Sequence, residues 1–267
     1  FLPMSRRRFY APPRAFSATE PGGSVTLAPE EARHLRDVLR LGAGDEVYVF
    51  DGEGREFRCA VTHTGPSKRE WTFLEVREAV EPARPESPLR LRLCVALLKG
   101  QKMETVVEKA TELGVSRLTP VLTKRVEGLP RGEKKEAARA RIERLRRHAL
   151  EAAKQSGRAR VPQVDEPCTF EQLLADEAAP GRPESLRLLF TEREGRKLME
   201  AVAGLFGRTP TRVAALVGPE GGWDDVELSM ARNAGWKLVT LGGRILRAET
   251  AAVTAAALLQ HLFGDLV

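Results

Sequence analysis

From residue 89 onward, short apolar runs alternate with segments of helical period, and few architectures other than a parallel α/β sheet accommodate that rhythm. Leu89 to Leu98 alternates and then turns wholly apolar, as a strand buried on both faces must. Met103, Val106, Val107, Ala110 and Leu113 follow at helical spacing, and Gly114 stands where a C-terminal cap is needed. The same reading predicts strands at Val115 to Leu122, Leu186 to Phe190, Val213 to Val217 and Lys237 to Leu241. It predicts helices at Lys134 to Gln155, Phe170 to Glu177, Gly195 to Leu205, Asp224 to Asn233 and Ala248 to Leu262.

The first part of the chain has a different texture. Val47 to Phe50, Glu56 to Thr62 and Trp71 to Val76 read as short strands, with a glycine-containing turn at Asp51 to Gly54, so a small sheet or barrel is expected. One short helix interrupts it, because Pro29, Glu30 and Glu31 suit a helix start and Leu35, Val38 and Leu39 fall on one face. Pro82, Pro85 and Pro88 then stiffen an extended connection. The expected division is a domain over 1–82, a linker over 83–88 and a second domain over 89–267.

Composition narrows the partners. With 42% hydrophobic residues in 267, the chain can bury a sizeable core, and its +6 balance favours an anionic partner. Cys59, Cys94 and Cys168 lie far apart, and the four histidines are equally scattered, which argues against a disulfide framework and against a metal site. A reducing cytoplasm fits. No run approaches the roughly 18 apolar residues of a membrane span, and Arg6 to Arg8 lead into no signal-peptide apolar segment.

Three strand ends carry the chemistry. Val213 to Val217 runs into Gly218-Pro-Glu-Gly-Gly222 and then Trp223, Asp224 and Asp225, a strand, a glycine-rich turn and a helix start. Such glycines either let the backbone approach a ligand closely or merely satisfy a tight turn. Position favours the ligand, since open α/β sheets bind at the carboxyl ends of their strands. The loop is neither a Walker phosphate loop nor a dinucleotide fingerprint. A second loop, Thr240 to Ala251, carries Gly242, Gly243, Arg244, Arg247 and Glu249, and a third strand end is Leu188 to Glu192. Taken singly, Arg247 and Glu249 read as a solvated ion pair worth about 0 to 1 kcal/mol; together with the flanking loop they read as a site.

Basic residues cluster in two places. Between Arg131 and Arg160 eleven Lys or Arg face four Glu, and Arg139, Arg146 and Arg147 share one predicted helix, a candidate phosphate-binding stripe. Arg6, Arg7, Arg8 and Arg14 with Phe9 and Tyr10 interleave cations and aromatics, a pattern found in readers of single-stranded RNA.

Six segments in order carry a family resemblance over nearly the whole chain: His34 to Arg40 with Gly44 and Asp45, Lys99 to Glu104, Lys109 to Gly114, Gln155 to Arg158, Gly218 to Gly222 and Leu246 to Ala251. The chain resembles the bacterial 16S rRNA uridine-N3 methyltransferases (RsmE type) of the knotted SPOUT superfamily. That resemblance implies a small N-terminal PUA-like RNA-binding β-barrel, a C-terminal SPOUT-like α/β domain with a trefoil knot, and a homodimer without metal or membrane association. It also implies S-adenosyl-L-methionine as cofactor and a uridine of 16S rRNA, within the 30S subunit, as target. The cofactor set would then be Leu189, Thr191, Val217, Gly218, Pro219, Glu220, Gly221, Gly222, Leu241, Gly242, Ile245, Leu246, Arg247 and Ala248. Arg247 is the residue expected to stabilise the uridine anion, with Glu249 orienting it or acting as base; the RNA set is Arg7, Arg8, Arg14, Arg125, Arg139, Arg146, Arg147, Gln155 and Arg158. Thr123-Lys-Arg-Val126 departs from the family pattern and leaves the role of Arg125 open, while Trp223 and Lys154 are tolerable variations. The alternatives are a non-catalytic RNA-binding assembly factor and a SPOUT enzyme with another RNA target.

Overall fold

A computed structural model describes residues 6–64, 71–126, 135–180, 185–205 and 209–266, and it divides into two units. The first comprises residues 1–86 with 153–161, the second 87–152 with 162–267. The first change of unit lies between Glu86 and Ser87. The return of 153–161 to the first unit departs from the expected boundaries.

In the first unit, β1 (Arg8–Tyr10), β2 (Ser24–Leu27), α1 (Pro29–Arg33), β3 (Glu46–Phe50), β4 (Glu56–Thr64) and β5 (Thr72–Val80) follow in chain order. The sheet runs β1-β3-β4-β5-β2, with β1 parallel to β3 and the other pairs antiparallel. Phe9 of one edge strand and Val25 and Leu27 of the other enter a single core with Val47, Val49, Phe57, Cys59 and Val76. A flat sheet cannot bring both of its edges into one core, so this one curls around its apolar face. The predicted helix ends early. After Arg33 the backbone winds as a π-turn over His34–Val38, closed by Leu39 N–H to the His34 carbonyl at 3.1 Å. The wider turn rotates later residues off the core face: Leu35 is buried, whereas Val38 and Leu39 are 63% and 37% exposed.

Segment 153–161 is held in this unit by polar contacts. Arg158 donates to both oxygens of Glu86, Nη2 at 2.7 Å and Nε at 3.4 and 3.1 Å. Lys154 Nζ reaches Glu31 at 2.6 Å, and Val161 N–H donates to the Gly52 carbonyl at 2.9 Å.

The second unit contains β6 (Arg90–Ala96), α2 (Lys102–Glu112), β7 (Arg117–Leu122), α3 (Lys135–Ser156), β8 (Gln163–Val164), β9 (Cys168–Thr169) and α4 (Phe170–Ala178). The last turn of α3 is the part assigned to the first unit. There follow β10 (Leu186–Phe190), β11 (Arg196–Lys197), α5 (Leu198–Val202), β12 (Arg212–Val217), α6 (Asp225–Asn233), β13 (Lys237–Thr240) and α7 (Ala248–Phe263). Every strand pair is parallel, in the order β11-β13-β10-β12-β6-β7-β8, with β9 beside β7. Strands thus fall where the apolar runs predicted them. One helix does not: the stretch from Gly195 begins as β11, because Arg196 and Lys197 pair with Val239 and Thr240, and only Leu198–Val202 is α-helical. Asp224 starts α6 with a capping box, its carboxylate accepting from Val226 N–H and its own N–H donating to Glu227.

Register sets up the site. Phe190 lies beside both Val217 and Val239, so β10, β12 and β13 end in one row and the chain leaves the sheet at three adjacent points.

Candidate active site

The three loops that leave this row enclose a cleft of about 420 Å³. That is within the roughly 300 to 1,000 Å³ usual for small-molecule sites. Thr191 comes from the loop after β10, Val217 to Gly222 from the end of β12, and Leu241, Gly242, Ile245, Leu246, Arg247 and Ala248 from the loop after β13. Every residue of the expected cofactor set except Leu189 lines it. Leu189 alternates inward along β10 and its side chain is packed in the core. Phe190, Glu192, Trp223, Arg244 and Ala251 also line the cleft and were not in the expected set. Glu192 and Phe190 were findable from their place beside Thr191 at the strand end, but nothing in the sequence signals that Trp223 forms the floor.

Trp223 is fully buried and donates Nε1–H to the Phe190 carbonyl at 2.8 Å, tying the loop after β12 to the end of β10. Its ring lies so close to Gly218 that a side chain there would meet ring atoms at 2.8 Å. Gly222 combines φ +71° with a Glu192 carboxylate oxygen 2.7 Å from where its Cβ would stand. Both roles weighed for this loop therefore occur in it: close approach at Gly218 and a left-handed turn at Gly222.

Charge is distributed unevenly around the cleft. Glu192 and Glu220 line it as carboxylates. Burial raises the Glu220 pKa, but its own backbone N–H, the Lys102 ammonium at 3.0 Å and the Lys99 N–H outweigh that and leave it below the usual carboxylate value. Arg247 lines the cleft from the N-cap of α7, exposed, its side chain without a hydrogen-bond or ion-pair partner among the described residues. The expected pairing with Glu249 is not formed. The first turn of α7 carries Glu249 away from the cleft lining and toward α2, where one of its oxygens is 3.9 Å from Lys102 Nζ and otherwise buried without a hydrogen bond. Lys102 thus faces a carboxylate of the loop after β12 and one of α7, a role no sequence spacing announced.

The RNA candidates separate by burial. Arg7, Arg14, Arg139, Arg147 and Gln155 are exposed. Arg8 is not available: its side chain is 8% exposed, it pairs with Glu56 at 3.2 Å and it donates to the Arg158 carbonyl at 3.0 Å. Arg158 is 5% exposed and held by Glu86, so it is a structural cation, and Arg146 is engaged by Glu143, Glu166 and the Val164 carbonyl. Phe9 is core and Tyr10 packs on Phe50 at 5.4 Å, which removes the reading of these rings as base-stacking platforms. Arg125 lies against the glycine loop, donating to the Gly221 carbonyl at 3.2 Å. Arg131 and the start of the predicted helix at Lys134 lie outside the described residues.

Comparison with known proteins matches residues 85–260 to an RNA methyltransferase domain and residues 27–68 to an RNA methyltransferase PUA domain. Ribosomal RNA small subunit methyltransferase E of Synechocystis is 35% identical over 259 residues, 97% of this chain and 78% of that protein. The chain belongs to the ribosomal RNA small subunit methyltransferase E family. The Neisseria gonorrhoeae member, solved bound to S-adenosyl methionine, is 32% identical, covers 98% of this chain and 100% of its own, and superposes with a TM-score of 0.81. A Legionella pneumophila methyltransferase, solved in complex with the same cofactor, is 30% identical over 98% of this chain and 100% of its own, with a TM-score of 0.83. The first unit is accordingly PUA-like and the second a SPOUT-type methyltransferase domain.

Proposed function

We propose that this methyltransferase E family member transfers the methyl group of S-adenosylmethionine to N3 of a uridine in 16S rRNA. It is an S-adenosylmethionine-dependent rRNA methyltransferase by family, and the cleft at the row of strand ends carries the finer reading. When bound, the cofactor supplies an electrophilic methyl on a positively charged sulfur. The lining suits it: Val217, Leu246, Ala248 and Ala251 offer apolar surface, and Glu192 and Glu220 offer acceptors for hydroxyls and negative charge for a cation.

The protein's own task is the nucleophile, because uridine N3 bears a proton that must leave before or during attack. Arg247 is placed to stabilise the imide anion through its guanidinium, which no other described group occupies. Glu249 does not line the cleft, which supports a positioning role through Lys102 rather than proton abstraction. The polar side chains of Glu192, Glu220 and Arg247, turned into the cleft, support an active enzyme over a non-catalytic assembly factor.

The same reading takes the trefoil knot as part of the second unit; β12 lying between β10 and β6, with β13 on the far side of β10, supports it. It includes a homodimer, needs no metal, and takes the 30S subunit as substrate form and the cytoplasm as location. No described helix is long and apolar enough to cross a membrane, and three free cysteines suit a reducing compartment. Exposed Arg7, Arg14, Arg139, Arg147 and Gln155 are the RNA contacts of this reading. Incubation of 30S subunits with methyl-labelled cofactor tests it: label entering 16S rRNA is the expected result, and label absent from RNA despite measured cofactor binding overturns it.

A further inference from the structure

A second cavity, about 190 Å³, lies at the opposite edge of the same parallel sheet, where β6, β7 and β12 begin rather than end. Arg90, Arg92, Arg117 and Arg212 line it. Their convergence follows from register. Arg212 of β12 stands beside Arg90 of β6, and Arg92 of β6 stands beside Arg117 of β7. Neighbours in a parallel ladder share a face, as do residues two apart, so four guanidinium groups leave one side of the sheet.

Two of the four are neutralised. Arg92 binds Asp176 at 2.6 Å and Glu177 at 2.5 Å, with Asp165 at 3.6 Å, and Arg117 binds Asp165 at 2.8 Å. Glu177, which also lines the cavity, is further held by the Ser185 hydroxyl at 3.1 Å. Arg90 and Arg212 have no carboxylate or other side-chain partner among the described residues, although they sit side by side on adjacent strands. Like charges in that relation repel and weaken a sheet. A cavity walled by arginines, with two forks free, has the chemistry that takes a tetrahedral oxyanion in two parallel hydrogen-bonded pairs.

We propose that this cavity binds a phosphate group, bridging Arg90 and Arg212, separately from the cofactor cleft. The group comes either from an RNA backbone or from a free phosphate compound. The cavity has room for a phosphate and its water, and Arg90 is exposed, so a phosphodiester within a longer strand has access.

The test uses the full chain, with Arg90→Gln alone and with Arg90→Gln combined with Arg212→Gln. Neither residue belongs to the cofactor cleft, so unchanged cofactor affinity by calorimetry verifies that each variant is folded. Inorganic phosphate, compared with chloride at equal ionic strength, should raise the wild-type Tm by at least about 2 °C. That rise should be halved or lost in the single variant and absent in the double. An RNA source adds a second effect: the salt-dependence slope of 16S rRNA binding falls by about one, because one phosphate fewer is neutralised. Loss of the phosphate effect with an unchanged slope assigns the site to a free phosphate compound. No phosphate-specific rise in the wild type, or the same rise in all three proteins, overturns the proposal. Single-variant data decide if the double variant does not fold.

Discussion

The guanidinium of Arg247 faces the cleft without a side-chain partner among the described residues, and a group that meets charge only as it develops should matter for rate and little for cofactor affinity. Arg247→Ala is expected to slow methyl transfer about a hundredfold or more at saturating cofactor, with affinity within a few-fold. Arg247→Lys keeps the charge but loses the planar fork, so only part of the rate should return. Raising the pH should partly rescue Arg247→Ala, because more uridine is then deprotonated without help; single-turnover transfer across pH reads both effects. Cysteine chemistry gives an independent check of the core. Burial pushes the Cys59 and Cys94 thiols up to about 12, and Cys168 is shifted in the same direction by burial. At pH 8 the native protein should therefore resist iodoacetamide at Cys59 and Cys94, while the denatured chain takes three labels by mass. Rapid native labelling of Cys94 would contradict the packing of β6.

At the scale of elements, the helices and strands after residue 89 were legible because each must present an apolar stripe or run to one sheet. Asp224 was legible as a helix start for the same kind of reason, since a cap is a local requirement. The arginines were not legible. Nothing near Arg8 or Arg158 in sequence shows that Glu56 is 48 residues away in the chain and Glu86 is 72, so a buried structural cation and a free phosphate binder look alike. The π-turn after Arg33 was equally hidden, because one extra residue in a turn leaves no compositional trace. These distinctions give opposite outcomes within α3. Neutralising Arg139 and Arg147 together should lower the salt-dependence slope of RNA binding by up to about two, one per phosphate contact. Arg146→Gln should leave the slope unchanged, since that guanidinium is already engaged by Glu143, Glu166 and Val164. Glu86→Gln should cost about 2 kcal/mol of stability by denaturant unfolding, because it leaves the buried Arg158 cation with a weaker partner.

Across the whole molecule, the return of 153–161 to the first unit was not legible, because it depends on ion pairs and backbone contacts rather than an apolar pattern. All cleft-lining residues belong to the second unit. A fragment spanning 87–267 is therefore expected to bind S-adenosylmethionine within a few-fold of the full chain by calorimetry, with 153–161 deprived of its docking partners and more open to proteolysis. A folded fragment that does not bind would move the site. The central claim, transfer to uridine N3, is tested most directly by the position of the new methyl group. Nucleoside mass spectrometry of 16S rRNA, after 30S subunits lacking the modification are incubated with the protein and isotope-labelled cofactor, should show labelled 3-methyluridine. Label on a ribose hydroxyl or on another base would contradict that claim.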